Sequence, residues 1–417
     1  MIHILKKVAL IILVIMLLKT NIVYSQTEYS TISASNNNYN SIKQKLRKKN
    51  IQIVYEIPEI HMLQIKAKSD KINEINELKY VNNDSQIIKI KEKTNSSLSD
   101  NLGIKRMLNS MFSNVSLFQY QWDMTNIHFK PTFDPHTSKT KIAIVDSGID
   151  LMNKNLMSNV ELTSKNLVPK YGFMEKEKNE SGEITNIQDI SGHGTFVTSQ
   201  ITSNKTIRSI APYNPLLIYR TTTNGSGDPL WSMKGIVQAV NDGAKVINLS
   251  EGVYINNFEK SNNPIYLGFK KAVQYAKDNG AIVVMSAGND NIKINYNENR
   301  NILDIPSNFE NVVTVASSNK NDKLSSFSNY GNNYIDILAP TGEGEDKILG
   351  YGLNNQILES NGNSYAAPKV TATIAKYIDY SSHESISKNQ MLNDIGIEKE
   401  KNKYKNLDYS YTINKIE

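Results

Sequence analysis

Cysteine is missing from all 417 positions of this chain. That excludes a disulfide framework and membrane attachment through a lipidated cysteine, leaving packing and bound ions as sources of durability. Long apolar runs are missing too. The unbroken stretch VALIILVIMLL, Val8 to Leu18, has eleven residues, short of the roughly 20 that span a bilayer. Charge of one sign is also in short supply: 47 Lys and Arg against 41 Asp and Glu leave a formal +6. The lysines are interleaved with acids and asparagines, so no nucleic-acid partner is expected. The C-terminal EKEKNKYKNLDYSYTINKIE carries neither an apolar tail nor a wall-sorting motif. Release is therefore expected over a permanent membrane or wall anchor.

The length and a hydrophobic content of 39% suffice for one large core with a smaller domain beside it. At the N-terminus, MIHILKK, the apolar run and NIVYSQ have the order of a secretory signal peptide over residues 1–25, cut before Gln26. Secretion from a bacterial cell follows as the expectation. Residues 26–50 read as a loose opening segment and a first helix. IQIVYEIPEIHMLQIKA (Ile51 to Ala67) alternates around a Pro58 turn, SDKINEINEL (Ser69 to Leu78) has helical spacing, and SQIIKIK is a further strand. These make a small α+β unit. The polar EKTNSSLSDN, residues 92–101, reads as a linker, where processing cuts fall.

From Lys141 the rhythm changes. KIAIVD, PLLIYR, KVINLS, AIVVMS, NVVTVA and YIDILA are short runs rich in Val and Ile. NPIYLGFKKAVQYAKDNG sets Ile265, Phe269, Ala272, Val273 and Ala276 on one helical stripe that ends at Gly280. The pattern is that of buried parallel strands with crossover helices, an α/β fold whose sites gather at the carboxyl ends of strands. Four polar residues fall at such boundaries: Asp146 ending KIAIVD, His193 in SGHGTFVTSQI, Asn289 closing VVMSAGN, and Ser364 opening SYAAPKV. Singly, each has a plain explanation as a turn or cap residue. Together, on one sheet edge, they make a candidate site.

AIVDSGID, SGHGTFVTSQI, VVMSAGND, SNYGNNYIDILAPTG and NGNSYAAPKV resemble, in this order, the Asp, His, oxyanion-Asn, late-core and Ser motifs of the subtilisin-like serine proteases. The resemblance runs from about Gln121 to Tyr380. It implies the subtilase fold, a parallel sheet sandwiched by helices, over residues 107–385, with residues 26–106 as an inhibitory, fold-assisting propeptide and 386–417 as a polar tail. It also implies roles. Ser364 would attack the scissile carbonyl, His193 would accept and return the proton, and Asp146 would fix the imidazole. The Asn289 amide would hydrogen-bond the oxyanion. Asn363 stands where the family usually has threonine, and is expected to supply a further polar donor there.

Asn224–Trp231 and Asn248–Tyr254 look like the family's two edge segments, which bind an extended substrate between them. The substrate-binding candidates are Gly225, Ser226, Gly227 and Asp228 on one side, Ser250, Glu251 and Gly252 on the other, and Asp290 beside Asn289. The carboxylates of Asp228, Glu251 and Asp290 favour a basic residue before the scissile bond. QWDMTNI, AAPKV and that preference resemble the lantibiotic leader peptidases, which remove the leader from a modified antimicrobial precursor. A general secreted degradative subtilase and a non-enzymatic peptide-binding module are the alternatives. Arg106 in GIKRMLNS is the expected propeptide cleavage residue. No cofactor is expected for catalysis. Structural calcium is compatible with loops such as NDNIKINYNENRN, although no EF-hand spacing occurs. A monomer acting on a peptide or protein substrate is expected.

Overall fold

The structure, a computed structural model, describes residues 27–68, 71, 81–83, 90–92, 116–131, 135–170, 180–203, 205–223, 225–256, 263–294, 302–307, 309–381, 387–399 and 403–416. The expected signal peptide, most of the linker and Arg106 lie outside them. The strands are β1 (Thr27–Ser33), β2 (Gln52–Ile57), β3 (Met62–Lys68), β4 (Val81–Asn83), β5 (Ile90–Glu92), β6 (Ile142–Asp146), β7 (Lys165–Asn166), β8 (Leu216–Arg220), β9 (Ser226–Gly227), β10 (Val246–Leu249), β11 (Glu251–Asn256), β12 (Ile282–Ser286), β13 (Ile302–Ile305), β14 (Val312–Ser318), β15 (Ile337–Pro340), β16 (Ile348–Tyr351), β17 (Ile357–Ser360), β18 (Gly396–Glu398) and β19 (Lys405–Leu407). The helices are α1 (Tyr39–Lys48), α2 (Trp122–Asn126), α3 (Lys154–Met157), α4 (His193–Ile201), α5 (Pro229–Asn241), α6 (Pro264–Asp278), α7 (Asn363–Tyr380), α8 (Lys388–Ile395) and α9 (Tyr409–Ile416).

All six expected strands from Lys141 onward lie in one sheet, ordered β18-β19-β15-β14-β12-β10-β6-β8-β7 and parallel except for the β18–β19 pair. Because strand side chains alternate between faces, Ile142 and Ile144 enter a core with α4 and α7, while Ala143 and Val145 enter a second core with α5 and α6. The α6 stripe expected from its spacing, Ile265 to Ala276, is the buried face of that helix. Two buried faces explain why these strands read as nearly continuous apolar runs.

Two expectations need correction. Residues 386–417 are not a polar tail: β18 and β19 extend the central sheet, and Met391, Leu392, Ile395, Leu407 and Tyr409 are buried in its core. Their apolar residues are few but evenly placed on α8, β19 and α9, so average polarity concealed them. The opening segment likewise contains a strand, because β1 pairs with β3 and β4 in the sheet β2-β3-β1-β4. Its TEYSTIS buries Ser30, Thr31, Ile32 and Ser33 in succession, and the hydroxyl-bearing members concealed a buried strand.

The N-terminal unit has its own core of Ile32, Tyr39, Leu46, Leu63 and Ile65. Its other face, with Ile57, Ile60 and Met62, joins the core under α5 and α6. Polar contacts pin the same interface: Gln64 Nε2 donates to Asp228 Oδ2 at 2.8 Å, Tyr55 Oη to the Leu167 carbonyl at 3.0 Å, and Lys271 Nζ to Ser33 Oγ at 3.0 Å and the Ala34 carbonyl at 2.6 Å. No helix among the described residues is long and apolar enough to cross a membrane.

Candidate active site

Asp146 ends β6 and His193 begins α4, and the structure joins them: His193 Nδ1 lies 2.7 Å from Asp146 Oδ1, both side chains being buried. Glycines permit the approach. A Cβ on Gly194 would fall 2.3 Å from the Gly148 carbonyl oxygen, and one on Gly148 would fall 2.4 Å from the Ile187 carbonyl oxygen. The backbone N–H of Ser147 donates to Asp146 Oδ1 at 2.7 Å, so the carboxylate is oriented from its own turn as well as from the imidazole.

Asp189, which sequence reasoning passed over, builds the loop that presents His193. It is buried and accepts from the Ser191, Gly192 and Thr195 backbone N–H groups at 2.9 Å each, from Thr195 Oγ1 at 2.6 Å and from Ser147 Oγ at 2.9 Å. These donors include the unpaired N–H groups that open α4. The available signal was an acid three residues before Gly192, the N-cap of α4.

Ser364 is the second residue of α7, buried, with its Oγ 3.3 Å from the Ser250 carbonyl oxygen. Pro368, inside the same helix, explains the AAP that follows. Proline has no N–H, so the carbonyl four residues earlier, that of Ser364, loses its helical donor. Ser250 Oγ supplies a replacement at 2.9 Å, and is itself held by Asn248 Nδ2 at 3.0 Å. Ser250 therefore braces the Ser364 turn with its side chain. The starts of α4 and α7 face each other, with the rings of His193 and Tyr365 5.6 Å apart.

Asn289 follows β12 and its Oδ1 accepts the backbone N–H of Asn363 at 3.0 Å. That bond fixes the orientation of the Asn289 amide beside the start of α7. Asn363 itself does not match the expected extra donor. Its Oδ1 accepts the Ser317 N–H at 2.5 Å, and its Nδ2 donates to the Gly288 carbonyl and to Ser328 Oγ, the latter at 3.0 Å. Both ends of the buried amide serve the scaffold, and asparagine suits because it donates and accepts at once.

The expected substrate edges are brought together. β5, from the N-terminal unit, lies between them in the sheet β13-β11-β5-β9, with Ile90 opposite Gly227, Lys91 opposite Ser226 and Gly252, and Glu92 opposite Glu251. Gly225 forms the turn into β9 at φ 78°. The three acids expected to read a basic residue behave differently from one another. Asp228 is buried, caps α5 by accepting the Leu230 N–H at 2.8 Å, and holds Gln64; burial raises its pKa despite those bonds. Glu251 is buried and accepts from Thr221 Oγ1 at 3.3 Å and from Ser232 Oγ. Asp290 is exposed and accepts from Tyr254 Oη at 2.5 Å. Among the described residues no group of three or more His, Asp or Glu side chains comes together as metal ligands.

An acid, imidazole and hydroxyl at adjoining strand and helix ends, beside an oriented amide and a strand-binding cleft, form the machinery of acyl transfer through a serine. A family model described as the Subtilase family matches residues 137–411. The chain belongs to that family and is a subtilisin-like serine endopeptidase. Among individual relatives it is 31% identical to the epidermin leader peptide-processing serine protease EpiP of Staphylococcus epidermidis, over 88% of this chain and 89% of that one. It is 33% identical to the nisin leader peptide-processing serine protease NisP of Lactococcus lactis subsp. lactis, over 65% of this chain but only 45% of the relative. The crystal structure of EpiP from Staphylococcus aureus superposes with a TM-score of 0.79 at 31% identity, covering 94% of this chain and 98% of that one.

Proposed function

We propose that this chain is an exported endopeptidase that removes the leader from a lantibiotic precursor by cutting after a basic residue. The observation that carries the reading is the extent of similarity to a leader-processing enzyme, which takes in 88% of the chain and so includes the N-terminal unit as well as the catalytic domain. In the proposed mechanism Ser364 Oγ attacks the peptide carbonyl, His193 Nε2 takes the proton and returns it to the leaving amine, and Asp146 holds the Nδ1–H tautomer and stabilises the imidazolium. The Asn289 amide and the Ser364 backbone N–H receive the developing oxyanion. Residues 1–25 serve as the export signal and the N-terminal unit as the propeptide of a zymogen.

The β5 register supports a maturation site different from the one expected at Arg106. Since Glu92 is opposite Glu251, the next position of a peptide bound this way falls opposite Ser250, whose carbonyl oxygen is 3.3 Å from Ser364 Oγ. In the sequence the residue after Glu92 is Lys93, followed by Thr94. The register thus favours the Lys93–Thr94 bond, which has a basic residue on its acyl side.

Mass spectrometry of products tests the reading. Purified enzyme and Ser364→Ala are incubated with a leader-bearing, modified precursor and with a denatured unrelated protein. One cut after Arg or Lys at the leader junction is expected, with none from Ser364→Ala and the denatured protein left largely whole. Broad digestion would identify a degradative enzyme, and cleavage by Ser364→Ala would remove the assigned nucleophile. The N-terminus of mature enzyme is expected at Thr94; a start at Met107 would restore Arg106.

A further inference from the structure

We infer that Asn329 is a positioning residue for the oxyanion donor, holding the turn that carries Asn289. The inference rests on the role proposed for Asn289 and names what keeps that amide in place. Asn329 belongs to SNYG, residues 328–331, the opening of the late-core motif, which takes no part in the proposed chemical steps. The stretch lies between β14 and β15, far along the chain from the turn after β12.

That turn begins at Gly288, with φ 86°. A Cβ on Gly288 would fall 2.5 Å from both Asn329 Nδ2 and Tyr254 Oη, so glycine lets the two side chains lie against the backbone just ahead of Asn289. Asn329 is fully buried and grips the turn on either side of the donor. Ahead of it, the Asn329 backbone N–H donates to the Gly288 carbonyl at 3.0 Å. Behind it, Asn329 Oδ1 accepts the N–H groups of Asp290 at 3.1 Å and Ile292 at 3.0 Å. The remaining end of the amide, Nδ2, donates to Tyr254 Oη at 2.8 Å, and that hydroxyl donates to Asp290 Oδ2. The turn is thereby tied to β11, one of the substrate edges.

Ser328 reaches Asn289 by a second route. Its Oγ accepts Asn363 Nδ2 at 3.0 Å, and the Asn363 backbone N–H is the donor to Asn289 Oδ1. Two consecutive residues therefore hold both the backbone that carries the Asn289 amide and the group that orients it. Asparagine suits position 329 because it accepts twice and donates once without bringing a charge near the developing oxyanion. The catalytic consequence follows from how such donors work. An oxyanion hole acts through dipoles fixed before the reaction begins, and small misplacements of a reacting group cost rate steeply.

The test is a double-mutant cycle read as kcat and KM on a peptide spanning the leader junction, with variants matured by tagged wild-type enzyme that is then removed. Asn289→Ala alone is expected to lower kcat about a hundredfold. Asn329→Ala alone should lower kcat about tenfold with KM changed less than about twofold. Once Asn289 is already alanine, the same substitution should change kcat less than about twofold, because its effect passes through the missing amide. An equal fall in both backgrounds would make Asn329 a brace of the fold at large and overturn the inference; so would an unchanged kcat or a change confined to KM. A wild-type kcat in Asn289→Ala would defeat the oxyanion reading itself, before Asn329 is in question. Should Asn329→Ala fail to fold, Tyr254→Phe takes its place in the cycle. It removes the anchor of Nδ2 and keeps both bonds to Oδ1, so kcat should fall about threefold with Asn289 present and stay level without it. No fall, or the same fall in both backgrounds, would also overturn the inference.

Discussion

At Asn363 one buried amide joins three segments. Its side chain ties the start of α7 to Ser317 at the end of β14, and to Gly288 and Ser328, while its backbone N–H orients Asn289. Asn363→Ala leaves the Ser317 N–H and Gly288 carbonyl without this partner, at a cost of about 1–3 kcal/mol for each buried group left unsatisfied. Denaturant titration should show that loss. Turnover should fall about tenfold with KM little changed, because the role proposed for the Asn289 donor is confined to the transition state. Loss of turnover at full stability would instead favour direct contact with the oxyanion. The residue scale is where sequence reading had least reach. Asp146, His193, Asn289 and Ser364 stood out because each ends or begins an element. Asp189 did not, because its significance comes from loop closure.

At the scale of elements, two motifs noted in the sequence turn out to meet. Asp123 of QWDMTNI and Lys369 of AAPKV form a fully buried ion pair at 2.5 Å, and Lys369 Nζ also donates to Gln200 Oε1 at 2.8 Å. The pair thus fastens α2 to α7, and Gln200 adds the far end of α4. Lys369→Met would leave Asp123 buried and uncompensated, a change that typically costs about 3–5 kcal/mol. Asp123→Leu combined with Lys369→Met should recover most of that loss. Chemical unfolding of wild type, each single variant and the double variant measures the coupling, and additive losses in the double variant would contradict it. Neither partner could be assigned from sequence, since 246 residues separate them. The central strands and α6 were legible because their apolar periodicity is local. The elements after Lys388 were missed because sparse apolar residues at the right spacing are outweighed by charge in any average.

At the scale of the whole molecule, the N-terminal unit and the catalytic domain meet through an interface that contains a titrating group. His61, packed edge-on against Tyr39 with ring centroids 5.1 Å apart, has its pKa lowered by burial and then by the Lys271 ammonium. A base with a depressed folded pKa contributes stability above its ordinary value of about 6.5 and loses it as pH falls toward the folded value. Asp228, raised by burial, acts in the opposite sense at lower pH, so the comparison must isolate His61. In a Ser364→Ala background, which keeps the chain intact, His61→Asn should lessen the fall in Tm between about pH 7.5 and 5.5; asparagine is chosen because position 61 has φ 56°. Parallel pH curves with and without the imidazole would exclude this role. The same interface gives the β5 strand a kinetic meaning. A segment paired on both edges and carried by its own molecule occupies the cleft at a local concentration that dilution does not alter. After the proposed cut, onset of activity is governed by escape of that strand, a first-order event with a half-time independent of enzyme concentration. Activation then behaves as a clock rather than as a threshold.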